Sequence, residues 1–119
     1  NLEKESLDHS GFRNALKSGQ LDGVILYENY KVSGYLKMNL DNADEKNWQI
    51  LCYRVKQSNG LEYLRVLLRA ALRRARSLGA KSLKFIDNWG CQTLDNRQNI
   101  LSELGFLENR ENNLWEIHL

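Results

Sequence analysis

The sequence predicts one α/β domain spanning residues 1–119, in which a mixed β-sheet is flanked by helices in the order β-β-β-α-β-α-β-β. The first half of the chain contains β-rich runs with alternating side chains, separated by polar turns. A long segment with helical periodicity follows, and a short apolar strand comes directly after it. A strand–helix–strand succession predicts a right-handed parallel crossover, which is the usual connection in an α/β sheet.

Three strands are predicted before the long helix, at Val24–Tyr27, Val32–Leu40 and Trp48–Val55. The tetrapeptide ENYK predicts a hairpin turn between the first two strands, and Gly34 predicts a bulge or a close backbone approach. The segment Asp41–Asn47, DNADEKN, is predicted as a polar turn. Since the third strand is apolar nearly throughout, we expect it near the centre of the sheet.

The long helix is predicted from an apolar stripe at helical spacing. The stripe consists of Leu64, Leu67, Leu68, Ala71, Leu72, Ala75 and Leu78. Gly79 stands where a C-terminal helix cap belongs, and Ser82–Asp87 predicts the next strand. A second helix is predicted over Thr93–Leu104. The remaining predicted elements are mixed polar helix and loop at residues 2–21 and a final hairpin at Phe106–Glu108 and Asn113–Leu119.

The composition excludes several classes of protein. With 42% hydrophobic and 27% charged residues, the chain is typical of a globular protein, and its net charge of +2 is too small to indicate a polyanion partner. Cys52 and Cys91 are far apart, and together with His9 and His118 they give no metal motif, so both thiols are expected to be reduced and buried. No segment has the length of a membrane span or the pattern of a secretory signal, which favours a cytoplasmic, intracellular setting.

Basic residues are concentrated on the long helix. Between Leu61 and Lys84, seven Lys or Arg residues accompany a single acidic residue, Glu62. Four arginines form a stripe opposite the leucines: Arg65, Arg69, Arg73 and Arg76. A solvated helix face explains this stripe. A phosphate contact by Arg65 and a nucleic-acid surface stay open as alternatives, although the interleaved aromatic residues of such surfaces are missing.

The run LRVLLRAALRRARSLGAKSLKF, followed by ILSELGF, resembles the GNAT superfamily of acyl-CoA N-acyltransferases over about residues 23–119. The matching positions are Leu67, Leu68, Ala71, Ala75 and Gly79 in the first run and Leu104, Gly105 and Phe106 in the second. The family's usual first strand and first helix are short or missing in this chain. The resemblance implies acetyl-CoA as the cofactor and an amine as the acyl acceptor.

In this family, backbone N–H groups of a glycine-rich loop at the start of the long helix bind the cofactor pyrophosphate. The resemblance places the cofactor-binding residues of this chain at Val55, Gln57, Asn59, Gly60, Leu61 and Arg65. Gly60 alone remains of the small residues of that loop, and Glu62 stands where another is expected. A carboxylate beside a pyrophosphate is unfavourable unless its side chain turns into solvent.

The catalytic positions implied by the resemblance have also changed. The asparagine and tyrosine often found in the second helix of family enzymes correspond here to Leu94 and Leu101, and neither can donate a proton. The central strand contains no carboxylate that could act as a base. Tyr53 on that strand is the candidate proton donor to test first. Trp48 and Trp89 are expected in core packing, with lining of a substrate cleft as the alternative.

A narrower resemblance is to the second, C-terminal lobe of fungal lysine N-acetyltransferase-like proteins, and it is carried by NWQILCYRVKQS, LLRAALRRARSLGAKSLKF and the aromatic Trp89. Such a lobe has the GNAT shape without a working cofactor loop and completes the substrate side of the first lobe. The resemblance therefore predicts an acetyltransferase-type domain with an eroded acetyl-CoA site, which shapes a substrate cleft together with another lobe or subunit. The alternatives are an active acetyl-CoA-dependent N-acetyltransferase with an atypical pyrophosphate loop, and a module that binds nucleic acid or protein through the arginine stripe.

Overall fold

The computed structural model describes residues 14, 16–17, 22–41, 44–86, 92 and 94–119, and within these residues six strands form one sheet. The strands are β1 (Asp22–Glu28), β2 (Lys31–Asp41), β3 (Asp44–Val55), β4 (Ser82–Ile86), β5 (Leu107–Asn109) and β6 (Leu114–His118). The two helices between them are α1 (Gly60–Ser77), which connects β3 to β4, and α2 (Arg97–Glu103), which precedes β5. The strands lie in the spatial order β1-β2-β3-β4-β6-β5. The predicted α/β class and element order are confirmed.

β1 and β2 form the predicted hairpin around ENYK. The two strands pair in antiparallel order as far as Glu28 and Lys31, which leaves Asn29 and Tyr30 as the turn. Both turn residues have positive φ angles, 50° and 67°, as a type I′ turn requires. This turn type matches the twist of paired strands, so a short local sequence fixes the register of the hairpin.

Gly34 in β2 is a point of close backbone approach, as its place in the strand predicts. A β-carbon at this position would lie 2.9 Å from Val55 Cγ1 in β3 and 3.1 Å from Leu67 Cδ1 in α1. The register between β1 and β2 shifts beside it, at Leu26 and Tyr27. The missing side chain therefore lets α1 pack directly onto the sheet.

The predicted polar turn at residues 41–47 is wrong in most of its length. β2 runs to Asp41, β3 begins at Asp44, and these two residues are themselves paired. Antiparallel pairing satisfies the main chain whatever side chains it carries, so polar composition alone does not end a hairpin ladder.

The second helix begins at Arg97, and the prediction of a start at Thr93 places it too early. Asn96, the residue before the helix, has a left-handed backbone with φ 66°, which a right-handed helix cannot include. Thr93 itself lies outside the described residues. The predicted final hairpin is confirmed, since β5 and β6 pair in antiparallel order within one or two residues of the predicted limits.

β3 and β4 are parallel, as the strand–helix–strand pattern predicts, but they pair over a short stretch. Among the described residues, the last pair is Ile50 with Phe85. β3 continues from there to Val55, whereas β4 ends at Ile86. The register between β2 and β3 shifts at the same level, which is the mark of a β-bulge. Within the described residues, the end of β3 therefore extends beyond its neighbour, and the side chain of Gln92 lies beside it.

One face of the sheet packs with α1 and α2 into the main core. Its fully buried members include Leu36, Tyr53, Val55, Leu64, Leu67, Leu68, Leu83, Phe85 and Leu101. The predicted apolar stripe of α1 supplies leucines of this cluster, and it is buried from Leu64 to Ala75. Its last predicted member, Leu78, follows the helix and is 41% exposed, so the inward face ends one turn earlier than predicted. Burial of these side chains is the main source of stability in the fold.

Of the predicted N-terminal helix and loop at residues 2–21, the described part is small. Residues 14, 16 and 17 are helical, and Leu16 packs against Tyr35 on a second apolar cluster. Among the residues that the structure describes, there is no helix with the length and apolar character needed to span a bilayer.

Candidate functional site

A cavity of about 320 Å³ lies at the N-terminal end of α1. Its lining consists of Gln57, Ser58, Asn59, Gly60, Leu61, Leu94 and Asp95. The structure thus brings together four residues that the sequence nominates for cofactor binding: Gln57, Asn59, Gly60 and Leu61. The volume is at the lower end of the roughly 300–1,000 Å³ that is usual for small-molecule pockets.

The start of α1 forms one wall of this cavity. Residues 57–59 make a 3-10 turn that leads into the helix, and Asn59 is the N-cap residue. The side chain of Asn59 makes no capping hydrogen bond, and the Gly60 N–H donates to the Gln57 carbonyl oxygen within the turn. The helix dipole gives this end of α1 a partial positive charge. Among the described lining residues none is Lys or Arg, and Asp95 adds a carboxylate. Backbone dipoles are therefore the main attraction that this cavity offers to an anion.

Gly60 is buried and packs against Leu94. A β-carbon at Gly60 would lie 3.0 Å from Leu94 Cδ2 and 3.4 Å from Val55 Cγ2. In a phosphate-binding loop, the space beside a glycine serves the close approach of the ligand to the backbone. Here a side chain of the same protein takes up that space.

Arg65 lies between two carboxylates. Its Nη1 donates to Glu62, and its Nε donates to Glu103 Oε2 in α2 across 2.7 Å. The hydrogen bond from Arg65 lowers the pKa of the Glu103 carboxyl, and the same bond raises the pKa of Arg65. Arg65 thus connects α1 to α2 and is not part of the cavity lining. The charge of Glu62, which is unfavourable beside a pyrophosphate, is compensated by this ion pair.

Val55, another residue nominated for cofactor binding, is bonded to a side chain of the segment before α2. The Val55 N–H donates to Gln92 Oε1 across 2.7 Å, and Gln92 Nε2 donates to the Val55 carbonyl oxygen across 3.0 Å. One side-chain amide therefore makes both of the bonds that a residue of a neighbouring strand can make. Sequence reasoning missed Gln92, because nothing in its local pattern separates it from an ordinary loop residue.

Tyr53, the candidate proton donor, is buried with 1% of its surface exposed. Its ring stacks on Phe85 with centroids 6.0 Å apart, and its hydroxyl oxygen accepts from Arg97 Nη1 across 3.3 Å. The same Arg97 nitrogen donates to the Gln92 carbonyl oxygen across 3.2 Å. Arg97, a second residue that sequence reasoning missed, thus holds both the Tyr53 hydroxyl and the main chain of Gln92.

The remaining nominated residues have packing roles or lie outside the described residues. Leu101, at the position of the family's tyrosine, is buried in the main core, and Trp48 is partly buried against it. Cys52 is half-buried with a free thiol, and burial raises the pKa of that thiol. Trp89, Cys91 and His9 lie outside the described residues. Within the described ranges, no group of His, Cys, Asp or Glu converges in a way that could hold a metal ion.

The basic surface of α1 is partly neutralised. Besides Arg65, Arg74 forms an ion pair, with its Nη2 at 2.9 Å from Asp22 Oδ2 in β1. Burial alone would raise the pKa of Asp22, but hydrogen bonds from Arg74 and from the Gly23 N–H outweigh it and lower that pKa. The other arginines of the stripe, Arg69, Arg73 and Arg76, are exposed. These contacts favour a solvated, ion-paired helix face.

No family model and no curated protein matches the chain, whereas solved structures do. A GNAT family acetyltransferase from Brucella melitensis, in complex with acetyl-CoA, aligns at TM-score 0.63 and 16% identity over 97% of this chain and 71% of its own. An N-acetyltransferase from Staphylococcus aureus aligns at TM-score 0.69 and 12% identity over 91% and 73% of the two chains. The ribosomal-protein-S18-alanine N-acetyltransferase from Escherichia coli aligns at TM-score 0.65 and 13% identity over 88% and 75%.

These likenesses show the fold of the chain, which is that of the GNAT acetyltransferases. Each of the three structures is bacterial, and none of them is a fungal lysine acetyltransferase. The narrower resemblance to a fungal C-terminal lobe therefore has no support from them.

Proposed function

We propose that the chain is a GNAT-fold domain in which side chains of the protein itself fill the acetyl-CoA site. Its role is to shape a substrate cleft or to support another lobe or subunit, and acyl transfer is not performed at this site. The observation that carries the proposal is the packing of Leu94 into the space beside Gly60, at 3.0 Å from the position of a β-carbon.

The charge of the cavity supports this proposal. A pyrophosphate carries several negative charges and is usually held by backbone N–H groups together with Lys or Arg. The described lining offers the uncapped helix start but no basic side chain, and Asp95 would repel the ligand.

The positions expected to move protons support it as well. Tyr53 is buried in the core with its hydroxyl bonded to Arg97, out of contact with the cavity. Leu94 and Leu101 are apolar and cannot exchange a proton with a thiolate or an amine. A general acid must reach the reacting atom directly or through one water molecule, and none of these three groups fits that requirement.

The second candidate function is an active N-acetyltransferase that uses acetyl-CoA with an atypical loop. The 320 Å³ cavity at the start of α1 and the ion pair that compensates Glu62 favour it. In such a protein, acetyl-CoA would supply the thioester, Gln57, Asn59, Gly60 and Leu61 would hold its pyrophosphate, and an amine would attack directly. Orientation of the reactants alone can supply a large part of the rate in such a reaction.

Thermal unfolding with acetyl-CoA separates the two functions. A ligand at 100 times its dissociation constant stabilises a protein by about 2.7 kcal/mol, which corresponds to a rise in Tm of roughly 10 °C for a domain of this size. We expect a Tm change below about 1 °C at 1 mM acetyl-CoA. A rise of several degrees would contradict the proposed function and support the active enzyme.

A matched pair of variants assigns any rise in Tm to the cavity. Ser58→Glu places a carboxylate in the cavity lining, and Ser102→Glu makes the same change on the exposed surface of α2. Binding at the predicted loop would be weakened by Ser58→Glu and left intact by Ser102→Glu. Equal loss in both variants would exclude binding at this loop.

A further inference from the structure

The bonds between Gln92 and Val55 have the pattern of strand pairing. Val55 both donates to and accepts from a single amide group, at 2.7 Å and 3.0 Å. A residue in an adjacent strand satisfies its neighbour in the same reciprocal manner. The primary amide of Gln92 therefore imitates the peptide group of a missing strand.

The contact lies at the C-terminal end of β3. Among the described residues, pairing with β4 runs as far as Ile50, whereas β3 continues to Val55. An uncovered strand edge is a template for an extended chain that carries amide groups, because main-chain hydrogen bonds give affinity without requiring particular side chains. Gln92 occupies this edge directly beside the cavity at the start of α1, whose Gly60 lies against the side chain of Val55.

Arg97 stabilises the contact between Gln92 and Val55 by binding the main chain of Gln92. Its guanidinium donates to the Gln92 carbonyl oxygen across 3.2 Å and to the Tyr53 hydroxyl across 3.3 Å, and it lies 5.8 Å from the centre of the Phe85 ring. The buried pair of aromatic rings thus fixes the arginine, and the arginine fixes the main chain of Gln92. Gln92 is therefore held in place by β3, β4 and α2, through Tyr53, Phe85 and Arg97.

We infer that the Gln92 side chain is an internal occupant of a ligand-amide site on the edge of β3, and that it excludes secondary-amide ligands such as the pantetheine arm of an acyl-CoA. This inference rests on the proposed function, because it names a group that keeps the cofactor out. Exchange of one amide for another conserves the hydrogen bonds of Val55, so removal of the competitor favours the ligand. Loss of the competing pair of hydrogen bonds predicts a gain in affinity of about tenfold or more.

Calorimetric titration with acetyl-CoA and with pantetheine tests the inference in the wild type, Gln92→Ala and Gln98→Ala. Gln98 is an exposed residue of α2, so its variant controls for the loss of a glutamine side chain near this segment. Thermal melts establish that each variant is folded. If Gln92→Ala does not fold, Gln92→Asn replaces it, since its side chain is one methylene too short to keep both bonds to Val55.

The expected result is tighter binding of both ligands by Gln92→Ala than by the wild type, by about tenfold or more, and no change in Gln98→Ala. Affinity of Gln92→Ala equal to or below that of the wild type, including no binding by either protein, overturns the inference. The proposed function is decided separately by the wild type alone: tight binding of acetyl-CoA by the wild type contradicts it, whatever the variant does. A gain for acetyl-CoA in Gln98→Ala of the same size also overturns the inference, because the effect would then not belong to the edge of β3.

Discussion

Gly34 shows how a single residue sets the distance between a helix and the sheet. Its missing side chain leaves room for Val55 Cγ1 and Leu67 Cδ1, both of which belong to the main core. Neither neighbour can move away freely, because cores of this kind are packed about as densely as organic crystals. Gly34 also lies opposite Val55, so it supports the end of β3 at the candidate site.

We predict that Gly34→Ala destabilises the protein by about 1–3 kcal/mol, because a β-carbon there would be overpacked against β3 and α1. Gly79→Ala is the comparison, since its φ of 82° strains the backbone while a β-carbon would meet no atom within 4 Å. Denaturant unfolding measures both variants. Only Gly34→Ala should be rescued in part when Leu67 is shortened to alanine, and a Gly34→Ala variant as stable as the wild type would refute the overpacking.

At the scale of elements, Arg65 is the polar connection between α1 and α2. It donates to Glu103 across the two helices, and this bond lowers the pKa of the Glu103 carboxyl. A carboxyl whose pKa is lowered by folding contributes stability above its unfolded pKa, and that contribution is lost as the pH falls through its folded pKa. The docking of α2 on α1 should therefore weaken in acid, below the ordinary pKa of 4.5.

We predict that Arg65→Met raises the pKa of Glu103 towards its ordinary value, because the donor that stabilises the carboxylate is removed. Arg73→Met, on the exposed face of the same helix, is the control for loss of a positive charge. An NMR titration of the Glu103 carboxyl carbon gives both midpoints. Equal midpoints in the wild type and Arg65→Met would show that the ion pair does not persist in solution.

The sequence predicts the elements of this fold well because their signals are local. The stripe of α1, the type I′ turn at Asn29 and Tyr30 and the glycine at position 34 each act within a few residues or one packing contact. The start of β3 could not be predicted, because it depends on pairing with β2 rather than on its own polar side chains. The first residue of α2 could not be predicted either, because it depends on the left-handed backbone of Asn96.

The residues of the candidate site also divide into some that could be predicted from the sequence and some that could not. The resemblance to the GNAT superfamily nominates the stretch from Gln57 to Leu61 for cofactor binding, and this stretch lines a cavity in the structure. Gln92 and Arg97 could not be found, since they meet Val55 and Tyr53 across 37 and 44 positions of the sequence. Contacts of that range depend on how the sheet and α2 pack together, and no local sequence pattern records that packing.

At the scale of the whole molecule, a GNAT-type sheet and its two helices are retained while the space between β3 and α2 is filled from within. Leu94 packs over Gly60, and Gln92 bonds to the end of β3. Arg97 donates to the main chain of Gln92 and so stabilises that second contact. The scaffold needs only its apolar faces and strand pairing to fold, so it persists whether or not the site binds a cofactor. This separation of fold from chemistry is the basis of the proposed function.

Amide hydrogen exchange at Val55, in the protein without ligand, tests most directly whether the Gln92 side chain closes the edge of β3. In the wild type, the Val55 N–H is bonded to Gln92 and should exchange at least about tenfold more slowly than in Gln92→Ala. The amide of Leu68, deep in α1, reports the global stability of both proteins and corrects for any difference between them. Equal exchange rates at Val55 after that correction would contradict the account, because the edge would then be open in solution.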